Sequence, residues 1–283
     1  MCRAIAFIAV AAFLLCLPAR ADTDPEDEPL LGSSQETIIT KSPALPFKPL
    51  TVETWTGAEG FHSVRSMYGG ATWAPDSDLN ANGFRLRASM SLTRYPTTTE
   101  FACLNQGLIS ACAFEFTVAR RQAAVFAGWQ QQFGATTLKA FAGLAHANEQ
   151  LSSKATHRYP KGPRTGLAAA LEIWHNITPA LWTSVDLSIS RVDMERSGRL
   201  RLGWRFTNEL SIGPEVAVAA RNDAMLIGSD GFIGEAKVGR LTKYGAFVRW
   251  DDGKNELSVA AGAAVQPQQA PSLYLSAQYL TRF

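Results

Sequence analysis

Short segments in which apolar and polar residues alternate fill most of the chain after residue 51. In the last of them, the odd-numbered positions from 273 to 283 are mostly apolar, whereas the even-numbered positions include serine, glutamine and arginine. Because successive side chains of a β-strand point to opposite faces, this pattern predicts strands with one apolar and one polar face. The same alternation occurs over residues 84–93, 181–190, 199–206 and 210–218.

Each segment is close to the roughly ten residues that a tilted strand needs to cross a bilayer. No segment after residue 21 approaches the roughly 18 apolar residues of a membrane helix. Charged residues make up 18% of the chain, below the roughly 25% that is usual in soluble domains. These features predict an all-β fold, a transmembrane antiparallel up-and-down β-barrel. A secreted β-sandwich is the structural alternative, since alternation alone serves both folds.

Turn-rich connectors divide residues 52–283 into about twelve strands. Two segments leave the number open, because residues 51–73 form either one long strand or a hairpin turning near residues 61–63, and residues 232–250 form either one strand or two. Ten or fourteen strands are therefore the alternatives to twelve. The predicted strands are 52–62, 64–74, 84–95, 114–132, 137–148, 164–175, 180–192, 197–206, 209–221, 232–250, 257–265 and 272–283.

The lengths of the connectors predict how the barrel is oriented. Outer-membrane barrels have short periplasmic turns and longer external loops. The connectors at 133–136, 176–179 and 207–208 are short, whereas those at 148–163 and 222–231 are long. Both termini of the barrel are therefore predicted to be periplasmic.

The first 51 residues are predicted to lie outside the barrel. Residues 1–21 have the layout of a cleavable secretory signal peptide, with Arg3, an apolar stretch and Ala19-Arg20-Ala21 as the cleavage site. Residues 22–51 are acidic and proline-rich, and such a segment is predicted to be a flexible periplasmic tail. The expected location is the outer membrane of a Gram-negative bacterium.

Charge and cysteine content exclude several functions. The chain has 27 Lys and Arg against 25 Asp and Glu, and removal of the signal peptide leaves the two signs balanced, which argues against nucleic-acid binding. Cys103 and Cys112 are the cysteines outside the signal peptide, and in an oxidising compartment they are predicted to form a disulfide. Their spacing lacks the tighter pairing and nearby histidines of a metal site, so neither a metal nor a cofactor is predicted.

Enzymatic activity is not expected, because the chain has no serine-hydrolase elbow, zinc-protease helix or phosphate-binding loop. A membrane-embedded hydrolase or acyltransferase stays a third hypothesis, since barrel enzymes can assemble a catalytic site from separate strands. A serine and a histidine within hydrogen-bond reach at the barrel rim would favour it. The histidines, which are dispersed in sequence, are His62, His146, His157 and His175.

Charged residues of both signs fall on the predicted interior face. They either form a closed plug or line a narrow polar channel, because charges inside a barrel need partners or water. Arg199, Arg201 and Arg205 are candidates for binding anions or sugars, although pairing with Glu209, Glu215 or Glu235 is the simpler explanation. The candidate ligand-binding residues of the lumen are Arg199, Arg201, Arg205, Glu172 and Glu235.

Aromatic residues near strand ends are mostly predicted to form the girdles at the two membrane interfaces. An inward Trp174 beside Glu172 would instead be able to stack on a sugar face. The aromatic residues in question are Trp55, Tyr68, Trp73, Trp129, Trp174, Trp182, Trp204, Tyr244, Trp250 and Tyr279.

Two resemblances add to this interpretation. An alternating last strand that ends on an aromatic residue, here Phe283, resembles the signal by which the barrel assembly machinery recognises bacterial outer-membrane proteins. The chain as a whole resembles the cellulose biosynthesis protein BcsS family. The runs that carry this second resemblance are Trp55-Thr-Gly-Ala-Glu-Gly-Phe61, Ser66-Met-Tyr-Gly-Gly-Ala-Thr-Trp-Ala-Pro75, Gly83-Phe-Arg-Leu-Arg87, Gly128-Trp-Gln130, Leu138-Lys-Ala-Phe-Ala-Gly143, Gly213-Pro-Glu215 and Tyr279 to Phe283.

The second resemblance implies an outer-membrane protein of bacterial cellulose synthesis or secretion, and it brings no catalytic residues. The expected partners are outer-membrane lipid, the barrel assembly machinery, and cellulose or components of the cellulose synthase complex. The leading hypothesis is a non-enzymatic barrel that forms an export path or anchors the polysaccharide machinery. A general porin or structural barrel is the alternative.

Overall fold

The computed structural model is a closed antiparallel β-barrel of twelve strands. The predicted signal peptide and residues 22–49 of the predicted tail lie outside the residues that the structure describes. Side chains within strands are likewise outside the description at residues 97–116, 151, 222, 226–227, 233–234 and 238–239. The described residues are 50–62, 64–105, 108–151, 162–222, 226–227, 233–234, 238–267 and 270–283.

Neighbouring barrel strands follow one another in the chain, and β1 pairs with β14 to close the ring, with Trp55 opposite Leu280. The predicted fold and the number of strands are therefore confirmed. The barrel strands are β1 (Val52–Phe61), β2 (Val64–Trp73), β3 (Gly83–Asn105), β4 (Leu108–Phe133), β5 (Thr136–Leu151), β6 (Arg164–Asn176), β7 (Leu181–Ser190), β8 (Arg196–Arg205), β9 (Leu210–Asn222), β12 (Val238–Asp251), β13 (Asn255–Val265) and β14 (Ser272–Arg282).

Two further strands, β10 (Leu226–Ile227) and β11 (Ile233–Gly234), form a separate two-stranded sheet. The prediction of one strand over residues 232–250 is corrected by this arrangement, since the barrel strand begins at Val238. The physical reason lies in the partner: β9 ends at Asn222, which is opposite Val238, so preceding residues have no barrel strand to pair with.

The hairpin of β3 and β4 is longer than the alternation predicted. The two strands have 23 and 26 residues, more than twice the roughly ten residues that cross a bilayer. Part of this hairpin was predicted to be the loop between residues 95 and 114. Beyond the bilayer, neither face of a strand has to be apolar, so the alternation that marks a membrane strand is lost.

The two ends of the barrel differ in their connectors. We call the end that holds Val52 and Phe283 the terminal end, and the opposite end the loop end. The connector after β4 is Gly134-Ala135, with Gly134 at φ +56°, and the connector after β12 is the turn at Asp252 to Lys254. In this turn the backbone and side chain of Asn255 donate to Asp252 and hold the pKa of its carboxyl below its usual range.

The outer wall is apolar and the inner wall polar, as the alternation predicts. Exposed outward side chains include Met67, Val125, Leu200 and Leu275. The inner wall carries the buried polar side chains, such as Arg201. Among the described residues, no helix is long and apolar enough to cross a membrane.

The aromatic residues divide between the two walls. Six of the ten predicted girdle residues are exposed on the outer wall: Trp73, Trp129, Trp204, Tyr244, Trp250 and Tyr279. The other four face the lumen, so their assignment to a girdle was wrong: Trp55, Tyr68, Trp174 and Trp182. On their strands these four have the same parity as inward polar residues, which places them on the inner wall.

Candidate functional site: the lumen

The lumen contains a polar cavity of about 790 Å³. Arg199, Arg201, Arg205 and Glu172, four of the five candidate ligand-binding residues, all line it. Glu235, the fifth, lies outside the described residues. Strands β6 and β8 place these four side chains on the inner wall because each has inward parity.

The three arginines have partners of different kinds. Arg201 forms an ion pair with Glu215 on β9 at 3.0 Å, one of the pairings expected from the sequence. Arg199 instead pairs with Asp186 on β7, with Nη2 to Oδ2 at 2.8 Å. The Arg205 guanidinium donates to the side-chain oxygen of Asn176 at 2.6 Å and to a backbone carbonyl. Each guanidinium is therefore already bound by the barrel itself.

Glu172 forms an ion pair across the lumen. Both carboxylate oxygens accept hydrogen bonds from Arg87, which is on β3, three strands away around the ring. The Arg87 guanidinium lies 4.0 Å from the ring centroid of Phe141, a cation–π contact that further fixes its position. Lys139 Nζ is 4.0 Å from the second Glu172 oxygen. A bidentate, charge-assisted pair of this kind restricts the middle of the lumen.

A second contact across the lumen involves a stack of aromatic rings. Trp174 and Trp182 are stacked with ring centroids 4.1 Å apart, and Phe247 lies 5.5 Å from Trp182. The guanidinium of Arg249, on β12, lies 4.6 Å from the Trp174 ring on β6, four strands away around the ring. Trp182 is fully buried, and its indole N–H donates to Ser211 Oγ at 3.2 Å.

Each of four inward aromatic rings lies flat against a glycine that is directly opposite it on the neighbouring strand. A Cβ atom added at any of these glycines would overlap the ring. The glycines therefore provide the space in which the rings lie against the wall, leaving the cavity beside them. The pairs are Trp55 with Gly70, Tyr68 with Gly57, Phe141 with Gly128, and Trp182 with Gly203.

The connector between β2 and β3, residues 74–82, folds against the inner wall at the terminal end. Arg85, fully buried, donates to Ser77 Oγ at 2.8 Å and to carbonyls of the connector, among them that of Ala81 at 2.5 Å. Gln130 Nε2 on β4 donates to the Leu79 carbonyl at 2.8 Å. The connector thereby covers part of the lumen. The sequence identified Arg85 as an interior residue but gave no sign of what it binds.

Two arginines and three carboxylates form a network at the terminal end. Arg249 Nη2 is 2.5 Å from Asp251 and 2.8 Å from Glu256. Arg282 contacts Glu53 at 3.3 Å and also lies near Asp251 and Glu256. Because Glu53 is on β1 and Arg282 on β14, the last of these pairs spans the seam where the barrel closes.

A third set of contacts across the lumen lies towards the loop end, where the connector after β7 turns inwards. Arg120 on β4 binds three carboxylates: Glu149 at 3.0 Å, Asp193 at 2.6 Å and Glu195 at 3.0 Å. Asp193 also pairs with Arg164. Asp193 and the next residue have φ values of +57° and +49°, a conformation that is strained in residues other than glycine. The ion pairs hold this strained turn against the inner wall.

Sequence analysis missed Arg120, although a signal for it exists. Arg120 has the same parity on β4 as the buried Gln130, and that parity marks it as inward. The connector at residues 191–195 carries no such signal, because alternation does not predict where a loop folds. Its carboxylates could be assigned only once the fold was known.

The predicted disulfide stays a prediction, because the side chains of both cysteines lie outside the description. The backbone places Cys103 opposite Ser110 and Cys112 opposite Phe101, so the two cysteines are on neighbouring strands, two positions apart in register. Among the described residues, no group of His, Cys, Asp and Glu has the arrangement of a metal site.

Two described histidines bind hydroxyl groups. His175 Nδ1 is 2.8 Å from Thr136 Oγ1, and His146 Nδ1 is 2.9 Å from Thr165 Oγ1. These partners are threonines, and no serine–histidine hydrogen bond occurs among the residues that the structure describes. His157 lies outside that part of the chain.

Comparison with known protein families identifies the chain. The family model of cellulose biosynthesis protein BcsS matches residues 54–283, which is nearly the whole barrel. The chain belongs to the BcsS family. The resemblance deduced from the sequence motifs is thus confirmed for this BcsS-family barrel, and a cellulose-related role follows at the level of the family. A search of curated proteins finds no match.

Solved structures similar to this BcsS-family chain are outer-membrane barrels. A deletion mutant of the monoaromatic hydrocarbon channel TodX has a TM-score of 0.50 at 10% identity, covering 84% of this chain and 92% of the channel. The transport unit of the autotransporter AIDA-I from Escherichia coli has a TM-score of 0.50 at 9% identity, covering 84% and 91%. The KdgM porin has a TM-score of 0.43 at 10% identity, covering 82% and 99%. At these identities the likeness concerns the fold alone.

Proposed function

We propose that this protein is a non-enzymatic outer-membrane barrel that anchors the cellulose-producing machinery and its product at the cell surface. The observation that carries the proposal is a lumen crossed at several heights by contacts between strands that are not neighbours. The crossings are Arg87 with Glu172, Arg249 with Trp174, and Arg120 with Asp193 and Glu195. A lumen held in this way favours an anchor over an open channel, because any polymer in transit would have to break each of these contacts.

An export path is the second candidate, and the cavity itself supports it. The cavity holds about 790 Å³ and is lined by Trp55, Tyr68 and Trp174 together with charged and amide side chains. Aromatic faces and polar groups are the side chains that bind the apolar faces and the hydroxyls of sugars. For a glucan to pass, however, the ion pairs across the lumen would have to open.

The general porin and the membrane enzyme are less well supported. A porin needs a lumen that stays open to water, whereas the described lumen is crossed repeatedly. An acyl-transfer enzyme needs a nucleophile, a base and a group that orients the base. The His–Thr pairs at His146 and His175 include no carboxylate partner among the described residues.

Conductance separates these candidates. We expect the purified, folded barrel to give no steady current in a planar bilayer, because the contacts across the lumen restrict the water path. A shift in gel mobility on heating, measured on the same sample, would establish that the barrel is folded. A steady current that cello-oligosaccharides block would contradict the anchor and support the export path. A steady current that the sugars leave unchanged would support a porin.

Cells that produce cellulose allow a second test of the anchor. We expect removal of the protein to leave cellulose synthesis active but to move the product from the cell surface into the medium. Expression of the full chain should restore attachment. Cellulose that accumulates in the periplasm would instead indicate an export path, and unchanged amounts and location would contradict both proposals.

A further inference from the structure

The outer wall carries a group of arginines near the loop end that the lumen does not explain. Arg65 on β2 and Arg94 on β3 are directly opposite each other. Arg121 on β4 is opposite Leu92, two positions from Arg94. All three side chains are exposed and have outward parity. We call Arg65, Arg94 and Arg121 the arginine cluster.

The cluster has no counter-charge in the described protein. None of its three guanidinium groups forms an ion pair or a side-chain hydrogen bond with a described side chain. Like charges that are directly opposite on antiparallel strands destabilise the pair, and a diagonal neighbour at about 7 to 8 Å adds to the repulsion. An anion from outside the protein would relieve it.

The position of the cluster indicates where that anion comes from. Eight residues separate Trp73 from Arg65 on β2, and eight separate Trp129 from Arg121 on β4. At about 3.4 Å per residue and a tilt of about 40°, this is about 20 Å along the membrane normal. The apolar band of a membrane barrel is about 25 Å tall. The tryptophans and arginines thus stand at opposite edges of the lipid-facing band.

The residues between these edges are suited to lipid. On β2 the outward positions between the edges hold Ala71, Gly69 and Met67, and on β4 they hold alanine and valine. The same eight-residue spacing separates Trp204 from Arg196 on β8, where the intervening outward residues are uncharged. A guanidinium at this height is level with lipid headgroups, and it binds phosphate oxygens through two parallel N–H groups.

We propose that the arginine cluster binds the phosphate of an anionic lipid headgroup in the membrane leaflet at the loop end. Three cations on adjacent strands surround one position beside the apolar band, so a lipid bound there keeps its chains against the wall while its phosphate meets the guanidinium groups. With the predicted orientation, this leaflet is the external one. The proposal is independent of the role in cellulose production.

Binding of a fluorescent, diphosphorylated lipid A to the folded full barrel in neutral detergent tests the proposal. We expect saturable binding that the triple variant R65Q/R94Q/R121Q weakens about 100-fold, since each basic residue near a membrane surface contributes a factor of about five. Lys254→Gln is the matched control, because it removes an exposed cation at the terminal end, and it should leave the affinity unchanged. Equal binding by the triple variant and the natural chain would overturn the proposal.

Two further arms keep the result decisive. Inorganic phosphate should not compete at the same concentration, because it lacks the lipid chains; equal competition would overturn the assignment to a lipid. If the triple variant fails to show the heat-dependent gel shift of a folded barrel, the charge-retaining variant R65K/R94K/R121K replaces it, with an expected affinity between those of the natural chain and the glutamine variant. Unchanged affinity in that lysine variant, together with no effect of added salt, would also overturn the proposal.

Discussion

Replacing Trp182 by alanine is expected to destabilise the folded barrel by about 4 kcal/mol. Trp182 is fully buried, stacks on Trp174 with ring centroids 4.1 Å apart and donates to Ser211. Truncation removes this packing and leaves a cavity between strands that cannot collapse, because the barrel ring fixes their distance. The free energy of unfolding, measured by far-UV circular dichroism in denaturant with detergent present, gives the size of the loss.

Trp204 provides the matched control for this substitution. It is on the strand paired with that of Trp182 but points outwards and is 60% exposed. Trp204→Ala therefore removes an equal number of atoms without a lumen cavity, and we expect a clearly smaller loss. Gly203→Val should act like Trp182→Ala, since its side chain would occupy the space of the Trp182 ring. Equal losses for Trp182→Ala and Trp204→Ala would show that the aromatic stack in the lumen does not stabilise the barrel.

Replacing Arg120 by methionine is expected to destabilise the barrel by about 3 to 5 kcal/mol. The substitution removes the cation that binds Glu149, Asp193 and Glu195 and leaves three carboxylates close together. Buried charges without partners are costly, and Asp193 is only 3% exposed. Denaturant unfolding gives the free energy, and hydrogen exchange of residues 191–195 should show the connector losing its protection.

Two variants make the interpretation of Arg120→Met specific. Adding Asp193→Asn to it removes one of the stranded charges and should recover part of the lost stability. Arg191→Gln changes an exposed cation in the same connector and should stay within about 0.5 kcal/mol of the natural chain. If Arg191→Gln were as damaging as Arg120→Met, the effect would come from the connector in general and not from the ion pairs across the lumen.

The alternation of the sequence was enough to predict a twelve-stranded barrel because strand geometry is local. Each side chain points away from its neighbour, and a lipid-facing wall must be apolar, so the order of residues determines which wall each one joins. The same rule placed Arg199, Arg201 and Glu172 on the inner wall, where the structure has them. It failed between residues 95 and 114, where β3 and β4 extend beyond the need for an apolar face.

Parity also held information that the sequence interpretation did not use. Trp182 has the parity of Ser184 and Asp186, which face inwards, but its place near the end of a strand favoured a membrane girdle. The glycine opposite it was not evident, because the strand register decides which residues are opposite each other. Aromatic–glycine pairs across strands therefore become visible only when the register is known.

The sequence by itself determined the fold class, the number of strands, the wall to which most side chains belong, and the family. The tertiary structure decided whether the charged lumen is crossed, since Arg87 and Glu172 are 85 residues apart in sequence and meet only when the ring closes. It also decided that the connectors at residues 74–82 and 191–195 fold inwards. Contacts between distant strands depend on barrel diameter, register and loop conformation, none of which is encoded by local alternation.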